Sequence, residues 1–84
     1  MKVAFHPNFI RIFKKLPVAL QEEIRQKISL FEQDQANISL KNHKLHGKLK
    51  NYYSFSVNYS YRILYKKHGK IVVLAEIGTH DMYK

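Results

Sequence analysis

The stretch YYSFSVNYSYRILYKKHGKIVVLAEIG, residues 52–78, decides the fold. Over 52–57, Tyr53, Phe55 and Val57 alternate with Tyr52, Ser54 and Ser56; over 61–66, Tyr61, Ile63 and Tyr65 alternate with Arg62, Leu64 and Lys66. A period of two marks a pleated strand with one face buried. A three-residue loop, Asn58-Tyr59-Ser60, pairs Val57 with Tyr61 and Phe55 with Ile63. The large apolar residues then share one face, and Ser54, Ser56, Arg62 and Leu64 share the other. A slip of one residue would mix the faces, which favours this register. The run at 70–77 is apolar nearly throughout and reads as an internal strand. Its turn is expected at Lys67-His68-Gly69 with Gly69 left-handed, so that Tyr65 meets Ile71 and Ile63 meets Val73. A two-residue His68-Gly69 turn is the alternative and inverts the faces of that strand.

Upstream, the apolar spacing becomes helical. MKVAFH, residues 1–6, reads as a short strand. Pro7 suits the first turn of a helix, where its missing N–H costs nothing. Phe9, Ile10 and Phe13 make an apolar stripe that Leu16-Pro17 closes. Pro17 also opens a second helix, in which Leu20, Ile24, Ile28 and Phe31 share a face. Glu22 and Glu23 are expected in its first turn, where the helix dipole favours negative charge, and its end near Asp34. Residues 35–51 show little periodicity and are expected as a loop. The expected fold is α+β: an N-terminal strand and two-helix hairpin packed on one face of a small antiparallel sheet. Arg62 is expected near the middle of the opposite, concave face.

A chain of 84 residues suggests a single domain, 1–84. The absence of cysteine excludes disulfides, thiolate metal sites and a cysteine nucleophile. The opening MKVAFHPNFIRIFKK has no apolar core of the signal-peptide kind, and the longest apolar run, IVVLA at 71–75, is too short to span a membrane. Of the net charge of +9, nearly all sits in residues 35–75, which hold eight Lys/Arg and no acid. Such a block cannot neutralise itself and presents a positive field suited to a polyanion, most simply nucleic acid. A solubilising surface is the rival reading, but such surfaces usually mix both signs.

Three clusters could carry chemistry. NHKLHGKLKNYY, 42–53, combines His43, His46, Lys48 and Lys50 with Tyr52 and Tyr53: amines for phosphates, rings for unpaired bases, imidazoles for protons. In YSYRILY, 59–65, Arg62 offers a planar fork for a phosphate, unless Glu76 neutralises it. EIGTHDMY, 76–83, runs from a buried strand into His80, Asp81 and Tyr83. One carboxylate beside His80 falls short of the three or four ligands a metal needs, so no metal site is expected.

The run from Asn42 to Tyr83 resembles the C-terminal half of toxins of the RelE/ParE superfamily, and most of all its YafQ-like and HigB-like branch. The shared features are a loop histidine, the hairpin with its strand arginine, and a terminal motif of the IGxHxxxY type, here IGTHDMY, with Tyr83 one position before the family's aromatic. The resemblance implies a RelE-like fold and a cytoplasmic toxin of a type II toxin–antitoxin system. It implies a ribosome-dependent messenger-RNA endonuclease needing no metal or cofactor, with a cognate antitoxin, the ribosome and mRNA as partners. His43, Arg62, His80 and Tyr83 would be its catalytic set; His46, Lys48, Lys50, Tyr53 and Asp81 would contact RNA. Arg62 would hold developing phosphate charge, His80 would act as general acid and His43 as base, with His46 or Lys48 as substitutes. Ser56 and Ser60 stand where YafQ-like proteins carry a second histidine and an aspartate, which leaves the division of proton transfers open. A ParE-type gyrase inhibitor and an inactive antitoxin-binding scaffold remain as alternatives.

Overall fold

The N-terminal strand, β1 (Lys2–Phe5), hands over directly to a helix in a computed structural model that describes residues 2–79. His6 makes the transition: its backbone is extended, and its Nδ1 accepts from the Asn8 N–H at 3.0 Å, satisfying an orphan donor of the first turn. Pro7 opens α1 (Pro7–Lys14) as expected, and Arg11 and Lys14 sit in the last turn, where the dipole favours cations. Gln21 then ties the two helices together. Its Nε2 donates to the carbonyls of Phe13 and Leu16 at 2.9 and 3.1 Å, where α1 ends.

The second helix, α2, runs Val18–Gln33, with Asp34 as its C-cap. Pro17 is the N-cap residue and not the first helical one; counted from Val18, Glu22 and Glu23 belong to the second turn, and the first turn holds no acid. Glu23 serves a tertiary contact instead: its Oε1 accepts from Asn58 Nδ2 at 2.7 Å. Ile24, Ile28 and Phe31 are buried and Leu20 packs beside them, as the spacing predicts.

Residues 35–51 are more ordered than a loop. They hold two short 3₁₀ turns, Ile38–Leu40 and Gly47–Leu49, flanking a two-residue strand, β2 (His43–Lys44). The remaining strands are β3 (Tyr53–Ser56), β4 (Arg62–His68) and β5 (Ile71–Gly78), and the sheet order is β1-β5-β4-β3-β2. The α+β architecture is as expected, with two helices on one face of the sheet. The sheet is mixed, however, because β1 pairs parallel to β5 while every other pair is antiparallel.

The first hairpin has the expected register: Phe55 faces Ile63, Ser54 faces Leu64, Ser56 faces Arg62, and the Val57 N–H donates to the Tyr61 carbonyl at 2.9 Å. Asn58 shapes the turn, its Oδ1 accepting from the Ser60 and Tyr61 N–H groups, both at 2.8 Å. The second hairpin differs from expectation. His68 pairs with Ile71, so the turn is Gly69-Lys70, and Gly69 at φ +60° fills the first central position that a type II′ turn reserves for glycine. Tyr65 consequently meets Leu74, not Ile71, and Val72 and Leu74 face the core while Ile71 and Val73 face away. A bulge at Ala75 then restores the phase, so that Ile63 meets Ile77. A strand apolar on both sides carries no period-two signal by which sequence could choose between these faces.

The core joins both helices to β3, β4 and β5. Phe31 of α2 stacks on Phe55 at 4.4 Å and tilts against Tyr65 at 4.9 Å, while Tyr53 stacks on Tyr65 at 5.3 Å. Such ring pairs add about 0.5–1.5 kcal/mol each beyond the area they bury.

Candidate functional site

The sheet face away from the helices carries Tyr52, Ser54 and Ser56 from the β3 strand segment, Arg62, Leu64 and Lys66 from β4, and His43 from β2, which lies opposite Ser54. It is less open than alternation alone suggests. Ser54, Ser56 and Leu64 are buried. Leu45, on the same side as His43 by alternation, is buried too, held inward by its N–H bond to the Tyr52 carbonyl at 3.0 Å.

Arg62 sits on the central strand, flanked by Ser56 on β3 and Gly78 on β5. It is half-buried, and its Nη1 is buried with no hydrogen-bond partner. A buried donor left unsatisfied costs roughly 1–3 kcal/mol, more for a charged group, unless a ligand completes it. Glu76 does not neutralise it. Glu76 Oε1 accepts from Asn8 Nδ2 at 3.1 Å, and the ion pair found among the described residues is Arg25 with Glu22, on α2. A guanidinium presents a planar fork of donors that suits an anion such as phosphate.

His43 is exposed, and its Nδ1 lies 2.8 Å from the Lys41 carbonyl. A carbonyl can only accept, so Nδ1 carries the hydrogen and Nε2 presents a lone pair to solvent. In the neutral ring Nε2 is therefore the nitrogen that could take a proton. The loop that holds it is anchored from below. Lys41 takes a left-handed conformation at φ 48°, Asn42 Oδ1 accepts from the Tyr65 hydroxyl at 2.5 Å, and Asn42 Nδ2 donates to the Gln35 carbonyl at 3.3 Å. Strand spacings put His43 and Arg62 about 12 Å apart at Cα on one face, close enough for both side chains to reach one phosphate.

The other expected site residues divide. His46, Lys48 and Lys50 are exposed around the second 3₁₀ turn. Tyr53 lies on the helix-covered face, stacked on Tyr65 with the Lys67 ammonium 4.5 Å above its ring, and so is not beside Arg62. Tyr52 is the ring that shares Arg62's side, with Lys66 Nζ 4.7 Å from its centroid. Its alternation with Ser54 and Ser56 already signalled that. Ser56 donates to the Asn58 carbonyl at 2.9 Å, which commits its hydroxyl to the turn. His80, Asp81 and Tyr83 lie outside the described residues. Among the described residues no three His, Cys, Asp or Glu side chains cluster as metal ligands, and no helix is long and apolar enough to cross a membrane.

A family model described as the ParE-like toxin domain matches residues 19–84. No curated protein sequence matches the chain. Among solved structures, YafQ from E. coli strain BL21(DE3) superposes with a TM-score of 0.75 at 17% identity, over 96% of this chain and 94% of that one. A YoeB/ParE toxin from Agrobacterium tumefaciens gives 0.75 at 16% identity, over 95% and 99%. The RelE of a RelE–RelB complex from Pyrococcus horikoshii OT3 gives 0.73 at 17%, over 93% and 92%. At such identities these likenesses speak for the fold.

Proposed function

From the premise that the chain belongs to the family of ParE-like toxin domains, we propose that it is the toxin of a toxin–antitoxin pair and cuts messenger RNA on the ribosome. One observation carries this reading: Arg62 holds a buried guanidinium nitrogen without a partner, on the same sheet face as a His43 whose Nε2 is free to accept a proton. In the reaction, the RNA 2′-hydroxyl attacks the adjacent phosphorus and gives its proton to a base. The bond from phosphorus to the 5′-oxygen breaks, and an acid protonates the leaving oxygen, so a 2′,3′-cyclic phosphate remains. His43 is the base. Arg62 stabilises the charge that builds on the non-bridging oxygens. His80, two positions beyond Gly78 in sequence, is the acid, with Tyr83 beside it in the catalytic set. Exposed His46, Lys48 and Lys50 hold flanking phosphates, Asp81 is assigned a lesser role in touching the RNA, and Tyr52 takes the stacking role expected of Tyr53, which lies on the other face. A cognate antitoxin would block this face or the chain's approach to the ribosome; the E. coli YafQ relative has been crystallised in a DinJ–YafQ toxin–antitoxin complex.

Single-turnover cleavage of mRNA on programmed ribosomes tests the assignment. Arg62→Ala and His43→Ala should each slow the chemical step by about 10²–10⁴-fold while ribosome binding persists. Near wild-type rates in both variants would overturn the mechanism. Intact mRNA together with blocked DNA supercoiling would make the chain a gyrase inhibitor of the ParE type.

A further inference from the structure

Below Arg62, the same sheet face holds a cavity of about 280 Å³ lined across β4 and β5, from His6 just after β1 to Tyr52 just before β3. Its floor is apolar at Val73, and His6, Tyr52, Lys66, His68 and Glu76 surround it. The volume lies just under the roughly 300–1,000 Å³ of pockets for drug-sized ligands, which suits one nucleobase and no longer segment. Building on the RNA reading above, we propose that this cavity is a guanine-nucleotide subsite, holding one guanosine of the RNA beside the cleavage centre.

The wall chemistry sorts the bases. Glu76 is anchored from one side: Asn8 donates to its Oε1 at 3.1 Å, and Asn8 is itself held by a hydrogen bond from Arg11. The second Glu76 oxygen is uncommitted among the described residues. A carboxylate only accepts. Guanine alone presents two adjacent N–H donors on its Watson–Crick edge, the ring N1–H and the exocyclic amine. Adenine and cytosine set a ring acceptor beside their amine, and uracil sets a carbonyl on either side of its N–H, so each turns a lone pair toward the carboxylate. Tyr52 supplies a ring for stacking. Lys66, 4.7 Å over that ring, can swing to the phosphate as a base takes its place. His6 completes the mouth. Because its Nδ1 accepts from the Asn8 N–H, its neutral ring carries hydrogen on Nε2 and can donate to a phosphate or sugar oxygen.

Amide NMR titration of the full chain with GMP, AMP, CMP, UMP and inorganic phosphate tests this. GMP should shift the resonances of His6, Tyr52, Lys66 and Glu76 and bind roughly tenfold tighter than UMP, the discrimination a bidentate base contact provides. Glu76→Gln, whose folded spectrum serves as its own control, should reduce that preference to about twofold or less while phosphate still binds. Equal affinity for all four nucleotides, shifts reproduced by inorganic phosphate alone, or GMP shifts elsewhere on the sheet would each overturn the guanine site. Cleavage of mRNA by a chain with no guanine preference would sink this proposal and leave the ribonuclease reading standing. Guanine preference in a chain that leaves mRNA intact would keep the subsite and remove that reading.

Discussion

Burial pushes the Tyr65 phenol up to about 12, because the phenolate would lose its hydration; the Asn42 bond acts in the opposite sense and nearby Tyr53 adds to the rise. A raised phenol keeps its proton in the fold after the unfolded chain has released it. The associated stability is therefore intact below pH 10 and drains away as pH climbs toward 12, by up to about 3 kcal/mol. Tyr65→Phe removes both the hydrogen bond and this alkaline loss. At pH 8 the variant should be less stable by about 1 kcal/mol, and the gap should close near about pH 11. Denaturant melts across that range measure it; parallel curves would mean the hydroxyl is not sequestered. Arg62 should behave oppositely to a stabilising residue. Arg62→Met removes an unsatisfied buried donor, so thermal stability should hold or rise while the proposed RNA cleavage slows as in Arg62→Ala. At this scale the sequence offered His43 and Arg62 as candidates, and the strand register places both on one sheet face. The sequence did not show Asn42, whose role arises from a buried hydroxyl 23 positions away.

The first hairpin was legible because its alternation had one solution. The Ile63 side chain is fully buried against Phe55 and the helices, and Ile63→Ala should cost roughly 2–5 kcal/mol in urea melts. β5 was not legible, since IVVLA is apolar on both faces and its phase depends on a two-residue turn and a bulge. A paired comparison reads that phase directly. Val72→Ala should cost about 1 kcal/mol or more, whereas Ile71→Ala, at a site 38% exposed, should cost only a few tenths. A larger loss at Ile71 than at Val72 would return the strand to the register expected from a Lys67-His68-Gly69 turn. The second helix shows a smaller version of the same limit. Proline excludes itself from a helix interior, but whether it is the cap or the first helical residue depends on backbone geometry that spacing does not encode.

Across the whole molecule, the acid-free block from 35 to 75 wraps the sheet edge at β2 and contributes Arg62 and Lys66 to one face. RNA affinity should therefore fall steeply with salt, and Lys48→Ala with Lys50→Ala should flatten log K against log salt by about 0.7–0.9 for each phosphate the lysines neutralise. Filter binding between low and physiological salt gives the slopes; identical slopes would separate these exposed lysines from the RNA. The parallel pairing of β1 with β5 adds a matter of timing. Lys2 has no strand to pair with until Ile71 has been synthesised, and the helices made in between have no sheet to cover. Domains dominated by such distant pairings close late and slowly. A growing chain of this design cannot complete its five-stranded sheet until β5 has been made, so its first strand waits through the synthesis of both helices and three other strands before it finds its partner.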